Sequence, residues 1–160
     1  MALELSTKRN SALIYIIGIW LLTGTLDAAS AIIYNWKIPA ATIFKFIASG
    51  FFGKAVAYAG GTTMVMWGVF FHYLAALVFT TVLFLLHPMF YSWFRNKVVT
   101  AIFYGIVIWA IMNLVVVPLS KIPPRPFNTQ HSIIDCCILI VCFGLPISFI
   151  ATGYYFFKRK

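Results

Sequence analysis

The chain has 160 residues, of which 62% are hydrophobic and only 9% are charged, and its formal net charge is +9. Soluble domains carry about 25% charged residues. This composition, with a mean hydropathy of +0.96, excludes an ordinary soluble domain and indicates an integral membrane protein. Because the basic residues lie between apolar runs, we expect their positive charge to meet anionic lipid headgroups and not nucleic acid.

The first apolar run covers residues 11–36 and predicts a transmembrane helix over about 12–34, since roughly 20 apolar residues cross the ~30 Å hydrocarbon layer. The alternative is a signal peptide, with Ala29-Ser30-Ala31 as its cleavage sequence. That alternative is disfavoured because apolar residues continue beyond the cleavage sequence as far as Tyr34.

The next segment, residues 37–61, is too charged to cross a membrane easily and too apolar to be a free loop. It predicts one or two short amphipathic helices in the membrane interface, starting near Pro39 and ending at Gly60 and Gly61, with Ser49-Gly50 and Gly53 as positions that allow a bend. Its lysines are expected to reach the lipid headgroups: Lys37, Lys45 and Lys54.

Three further apolar runs predict transmembrane helices over about 63–87, 98–118 and 132–156. A short basic turn, FRNK, separates the first two of these helices, and the proline-rich stretch KIPPRPFNTQ separates the last two. The predicted fold is therefore all-α. It is an integral membrane four-helix bundle with an interfacial helical segment after the first span, forming one transmembrane domain over residues 1–160.

With four spans, both chain termini lie on the same side of the membrane. Seven basic residues then share the side of the termini: Lys8, Arg9, Arg95, Lys97, Lys158, Arg159 and Lys160. Five lie on the other side: Lys37, Lys45, Lys54, Lys121 and Arg125. The positive-inside rule predicts that both termini are cytoplasmic.

Asp27 is the least expected residue of the spans, because a carboxylate inside an apolar run is costly. At 1.5 Å per residue, Asp27, His72 and Asn113 come to similar depths on three spans, each about 5–7 Å from the span centre. Asp135 lies nearer the membrane surface. Asp27 and His72 share their helical faces with small residues, which let membrane helices approach closely. We therefore predict a buried polar layer of Asp27, His72 and Asn113, with Asp135 above it as a fourth buried polar residue of the candidate binding site.

Two interpretations of this polar layer remain open. In the first, the layer accepts a proton or binds a ligand, because an ionisable group within a membrane is a candidate functional site. In the second, the layer consists of hydrogen bonds that fix the register of the helices, each worth about 0.6–2 kcal/mol.

The sequence predicts no cofactor and no metal site. A bis-histidine haem needs two histidines at one depth on facing helices, but His72 and His87 lie on one helix about 22 Å apart, and His131 lies at the surface. We interpret His87, beside Pro88, as an interfacial cap.

The chain has three cysteines, Cys136, Cys137 and Cys142. Their odd number and close spacing disfavour disulfide bonds and a zinc site. No motif supplies a nucleophile and base, so no catalytic residue is predicted.

Four stretches carry a resemblance to a known family: IASGFFGKAVAYAGG (47–61), WGVFFHYLAAL (67–77), YGIVIWAIMNLVVVPLS (104–120) and FGLPISF (143–149). They resemble a family of small bacterial inner-membrane proteins with four spans, similar in kind to YagU-type proteins. The resemblance implies a multi-pass location in the bacterial inner membrane. The family has no established reaction, so the resemblance implies no mechanism.

The function predicted from the sequence is that of a small binding or accessory membrane component, which contacts lipid, a second copy of the chain or a larger membrane complex. The alternative is a small proton-linked transporter or channel that uses Asp27 and His72. An intramembrane enzyme ranks last of the three.

Overall fold

The computed structural model of the chain describes the backbone of residues 2–123 and 128–157 and the side chains of residues 11–123 and 128–156. This described part is 90% helical and has no strands, which confirms the predicted all-α fold. Within it, four helices are long and apolar enough to cross a membrane, so the chain is a small multi-pass membrane protein. Part of the orientation prediction falls outside the described residues, namely Arg125, Lys158, Arg159 and Lys160.

Six helices follow one another along the part of the chain that the structure describes. They are α1 (Ala2–Tyr34, spanning over Ser11–Tyr34), α2 (Ala40–Phe52), α3 (Lys54–Ala59), α4 (Gly61–Phe94), α5 (Lys97–Leu119) and α6 (Thr129–Phe156). The ends of the spans near α2 and α3 are called the α2 end of the bundle, and the other ends the opposite end. The third span widens into a π-helical turn over Met112–Val116, and the fourth does so over Ile140–Gly144.

The segment between the first two spans folds into two short helices, as the sequence predicted. Pro39 stands at the N-cap of α2, where its missing N–H costs nothing. Gly53 has a φ of 85°, a left-handed conformation that glycine adopts without strain, so the chain turns there between α2 and α3. Gly60 ends α3, and α4 begins at the next residue.

Helix α4 continues beyond the predicted end of the second span near residue 87. Pro88 lies inside the helix, which ends only at Phe94, where Arg95 takes a left-handed φ of 51° and donates its N–H to the Tyr91 carbonyl. A proline removes one backbone hydrogen bond from a helix, and packing on both sides keeps the remaining turns helical.

The four spans share one hydrophobic core. Each span has a large apolar side chain in this core that is at most 1% exposed: Ile19, Phe84, Ile108 and Ile147. Because these side chains belong to one buried cluster, the middle of the bundle is closed mainly by hydrocarbon.

Glycines set the closest approaches between the helices. A Cβ atom at Gly105 would collide with Ile140, and one at Gly144 would collide with the Ala101 backbone, so α5 and α6 pack backbone to backbone. Ala101 and Gly105 therefore form a pair of small residues that faces a neighbouring helix. Likewise, a Cβ atom at Gly68 would collide with the Phe44 carbonyl group, which holds α2 directly against α4.

Candidate functional site

Hydrogen bonds join α1 to α4 beside the predicted polar layer. The Trp20 indole N–H donates to the Tyr73 carbonyl over 2.7 Å, and the Tyr73 hydroxyl lies 3.0 Å from the Thr25 hydroxyl. Deeper in the core, the hydroxyls of Thr23 and Thr80 lie 3.2 Å apart and both residues are fully buried. These contacts fix the depth of α1 relative to α4 and so the relative positions of Asp27 and His72.

His72 bonds to the backbone of α1. Its Nε2 lies 2.8 Å from the Gly24 carbonyl oxygen. A carbonyl oxygen can only accept, so Nε2 carries the proton and donates it. In the neutral ring Nδ1 is then an acceptor. The His72 ring also packs edge-on against Phe44 of α2, with ring centroids 6.3 Å apart, so α2 lies directly beside this histidine.

Asp27 lies one turn from Gly24, toward the α2 end of the bundle. It is partly exposed, and its charge interacts electrostatically with His72 and with Asp135. No group among the described residues donates a hydrogen bond to this carboxylate, because the proton of His72 Nε2 goes to Gly24. We call Asp27, His72 and Asp135 the Asp27 site.

Asp135 belongs to this electrostatic group, but the prediction that it is buried is wrong. It is exposed near the start of α6, one turn after His131, with which its charge also interacts. His131 Nδ1 lies 2.8 Å from the Tyr34 hydroxyl, which connects the end of α1 to the start of α6.

Asn113 lies outside the Asp27 site, so the prediction that it shares a buried layer with Asp27 and His72 is wrong. It is exposed on the π-helical turn of α5, and its amide N–H donates over 3.0 Å to the Trp109 carbonyl of its own helix. Gly105 faces the bundle, and eight residues further along a helix a side chain points about 80° away. The depth of Asn113 along its span therefore did not determine whether its side chain points into the bundle.

His87 is fully buried, and its interpretation as an interfacial cap is wrong. Its Nδ1 lies 2.9 Å from the Tyr104 hydroxyl of α5, and its Nε2 lies 3.0 Å from the Thr152 hydroxyl of α6. We call His87, Tyr104 and Thr152 the His87 clasp. A signal for it was present in the sequence, because His87 follows the buried Thr80 by seven residues and so lies on nearly the same face of α4.

The interfacial lysines lie on the segment between the first two spans. Lys37 is exposed, with its Nζ 5.3 Å from the centre of the Trp36 ring, and Lys54 is exposed at the start of α3. Lys45 donates from Nζ to the Tyr58 carbonyl over 3.2 Å, which ties α2 to α3. Their contact with lipid headgroups stays a prediction.

An open apolar groove of about 460 Å³ lies between α1 and α4, lined by Trp20, Leu21, Val69, Phe70, Tyr73, Leu74 and Leu77. The polar atoms of its two polar aromatic residues, Trp20 Nε1 and Tyr73 Oη, are already hydrogen bonded within the bundle. The groove therefore offers hydrocarbon contact and adds no hydrogen-bond donor to the Asp27 site.

Comparison of the chain with protein-family models, with curated proteins and with solved structures finds no match in any of the three. The resemblance to YagU-type inner-membrane proteins stays a prediction.

Proposed function

We propose that the chain is a binding or accessory component of the bacterial inner membrane, with cytoplasmic termini. It holds a positively charged, hydrogen-bond-donating group of a lipid or partner protein at the Asp27 site. The observation that carries this proposal is the Asp27 carboxylate, which sits within a span and receives no hydrogen bond from the described residues.

The chemistry of the ligand group follows from what the Asp27 site presents. Asp27 and Asp135 are acceptors when ionised, and Nδ1 of neutral His72 is an acceptor because its Nε2 proton is used by Gly24. Two carboxylates that interact with each other are stabilised by a positive charge between them. An ammonium or guanidinium group supplies both the charge and the donors.

The closed core supports binding over conduction through the bundle. Between the Asp27 site and the His87 clasp lie the fully buried side chains Ile19, Phe84, Ile108 and Ile147. A continuous path for protons or ions needs polar groups or water along its length. This layer supplies mainly hydrocarbon, and its Thr23 and Thr80 hydroxyls are bonded to each other. The alternative, a proton-linked transporter that uses Asp27 and His72, requires this layer to open.

Native mass spectrometry of the protein, extracted gently from its own membrane, tests the proposal. We expect a reproducible added mass of lipid or protein on the unaltered chain. Asp27→Asn keeps the side-chain shape and removes the charge, so it should lower the bound fraction about tenfold, the loss of one charged hydrogen bond. Asn113→Ala removes a polar group at similar depth outside the site and should leave the bound fraction unchanged.

The mass itself distinguishes a lipid from a protein partner. A bare chain in every extraction contradicts the proposal, as does equal binding by Asp27→Asn and the unaltered chain. In either case, proton flux into vesicles that depends on Asp27 would establish the transporter alternative.

A further inference from the structure

The hydrogen bonds of the His87 clasp run in one direction, which the structure lets us assign. The Thr152 hydroxyl has one proton and donates it to the Ser148 carbonyl over 2.6 Å. It must therefore accept from His87, so Nε2 carries a proton. In the neutral ring, Nδ1 is then unprotonated and accepts from the Tyr104 hydroxyl, 2.9 Å away. The chain of donors runs from Tyr104 through His87 and Thr152 to Ser148.

This chain joins three spans. His87 stands on α4, Tyr104 on α5, and Thr152 with Ser148 on α6. The Ser148 hydroxyl extends the network by donating over 2.8 Å to the Lys97 carbonyl at the start of α5. Both ring nitrogens of the neutral imidazole have a hydrogen-bond partner, so the uncharged form leaves no donor or acceptor of the ring unsatisfied.

A second acceptor lies near the Tyr104 hydroxyl. The Leu83 carbonyl is 3.4 Å away, against 2.9 Å for His87 Nδ1. If His87 took up a second proton, Nδ1 would become a donor, and Tyr104 would have to turn its own proton to Leu83. Protonation thus reverses the His87–Tyr104 hydrogen bond and leaves the Tyr104 proton only the longer contact to the Leu83 carbonyl.

The surroundings of His87 supply no counter-charge among the described residues. Its ring stacks on Tyr91 of its own helix and on Tyr155 of the fourth span, and it meets Tyr104 of α5 and Phe156 edge-on. The titratable groups that face it from these elements are the three tyrosines, which are uncharged near neutral pH. A charge buried without a partner is costly, so an imidazolium here favours any state in which the helices separate.

We propose that His87 is a proton-sensitive latch, which in its neutral form holds α4, α5 and α6 together and releases them when it is protonated. This regulatory device is separate from the proposed binding function, because its residues lie beyond the closed core from the Asp27 site. Acidification is expected to loosen the helices around the His87 clasp and to leave the region around Asp27 in place.

The resting state is tested by nitrogen NMR of histidine-labelled protein in lipid bilayers at about pH 7.5. We expect one histidine signal with a protonated Nε2 and an unprotonated Nδ1 that disappears in His87→Gln. His72 is expected in the same tautomer, so His72→Gln is needed to separate the two signals. A charged ring or an Nδ1-protonated ring at His87 would overturn the assignment.

The latch is tested by amide hydrogen exchange at about pH 7.5 and about pH 5, corrected for the intrinsic pH dependence of exchange. In the unaltered chain and in His72→Gln, exchange over residues 83–91 and 148–156 should rise about tenfold at the lower pH, because the charged ring is buried without a counter-charge. His87→Gln keeps a donor and an acceptor but cannot be protonated, so its exchange should stay within about threefold.

The same rise in His87→Gln as in the unaltered chain, or no rise in either, would overturn the latch. Tyr104→Phe gives a second variant that does not depend on how well glutamine fits. It removes the first donor of the chain, and it should raise exchange over the same residues already at pH 7.5.

Discussion

Single glycines determine how closely the helices of this bundle approach. Membrane helices gain little from hydrophobic burial against one another, because lipid is as apolar as their side chains, so close packing has a larger share in holding them together. Gly105 and Gly144 bring α5 and α6 into backbone contact. Gly18 of α1, in contrast, has no atom within 4 Å of the position of a Cβ. The two kinds of glycine should respond oppositely to substitution.

Gly144→Ala should destabilise the protein by about 1–3 kcal/mol, the usual cost of overpacking, because its Cβ would collide with the Ala101 backbone. Gly18→Ala is the matched control and should change stability by less than about 1 kcal/mol, in the stabilising direction, since alanine is the better helix former. Unfolding of both variants in mixed micelles by increasing SDS measures the difference. Equal effects of the two substitutions would show that the α5–α6 contact is not tight.

The helix ends show how an element is fixed by its capping residue. The Asn96 side chain accepts hydrogen bonds from the N–H groups of Val98 and Val99 over 2.8 and 3.3 Å, which satisfies two donors at the start of α5. Asn128 caps α6 in the same way, through the His131 N–H. Both caps follow chain segments rich in turn-forming or proline residues, so they define where a new span begins.

Asn96→Ala should destabilise the protein by about 0.5–2 kcal/mol, because alanine leaves the first N–H groups of α5 without a side-chain acceptor. Asn96→Asp retains the acceptor oxygen and serves as the control, with a loss below about 0.5 kcal/mol. Thermal unfolding in detergent, followed by circular dichroism, compares the two variants. If the alanine and aspartate variants melt at the same temperature, the cap contributes nothing.

The distance of helix α2 from α4 is set where Gly68 meets the Phe44 carbonyl group. Gly68→Ala would push a Cβ into the Phe44 carbonyl group, so α2 should move away from α4 and from His72. We expect amide exchange over Ala40–Phe52 to rise about tenfold, while exchange over 100–110 of α5 stays unchanged. Unchanged protection of α2 would mean that its link to Lys121, through the Gly50 carbonyl, suffices to hold it.

On the scale of the whole molecule, the sequence predicted the four spans and the short helical segment after the first span, because span length and glycine positions are local properties.

The Asp27 site was predicted only in part. The sequence singled out Asp27, His72 and Asp135, which the structure brings into one electrostatic group, but it also placed Asn113 with them. The direction of a side chain depends on the rotation of each helix, which the π-helical turn of α5 changes. His87 was misjudged because Pro88 suggested a helix end.

The arrangement of the whole chain across the membrane makes a further prediction. The four spans put Lys37 and Lys121 at the α2 end of the bundle and Arg95 at the opposite end, and all three are exposed. In a background with Cys136, Cys137 and Cys142 replaced by alanine, Lys37→Cys and Lys121→Cys should react with a membrane-impermeant maleimide added outside intact spheroplasts. Arg95→Cys should react only after the membrane is opened, because the positive-inside rule places the turn between α4 and α5 in the cytoplasm.

The three variants together separate topology from orientation. If Lys37→Cys and Lys121→Cys react on one side and Arg95→Cys on the other, the chain crosses the membrane between residues 37 and 95 and crosses back between 95 and 121, whichever side is outside. Reaction of Arg95→Cys from outside, with protection of the other two, would reverse the orientation and place the Asp27 site in the cytoplasmic half. Its ligand would then have to come from the inner leaflet or from a cytoplasmic partner, which changes the lipid sought by mass spectrometry but not the acceptor chemistry that binds it.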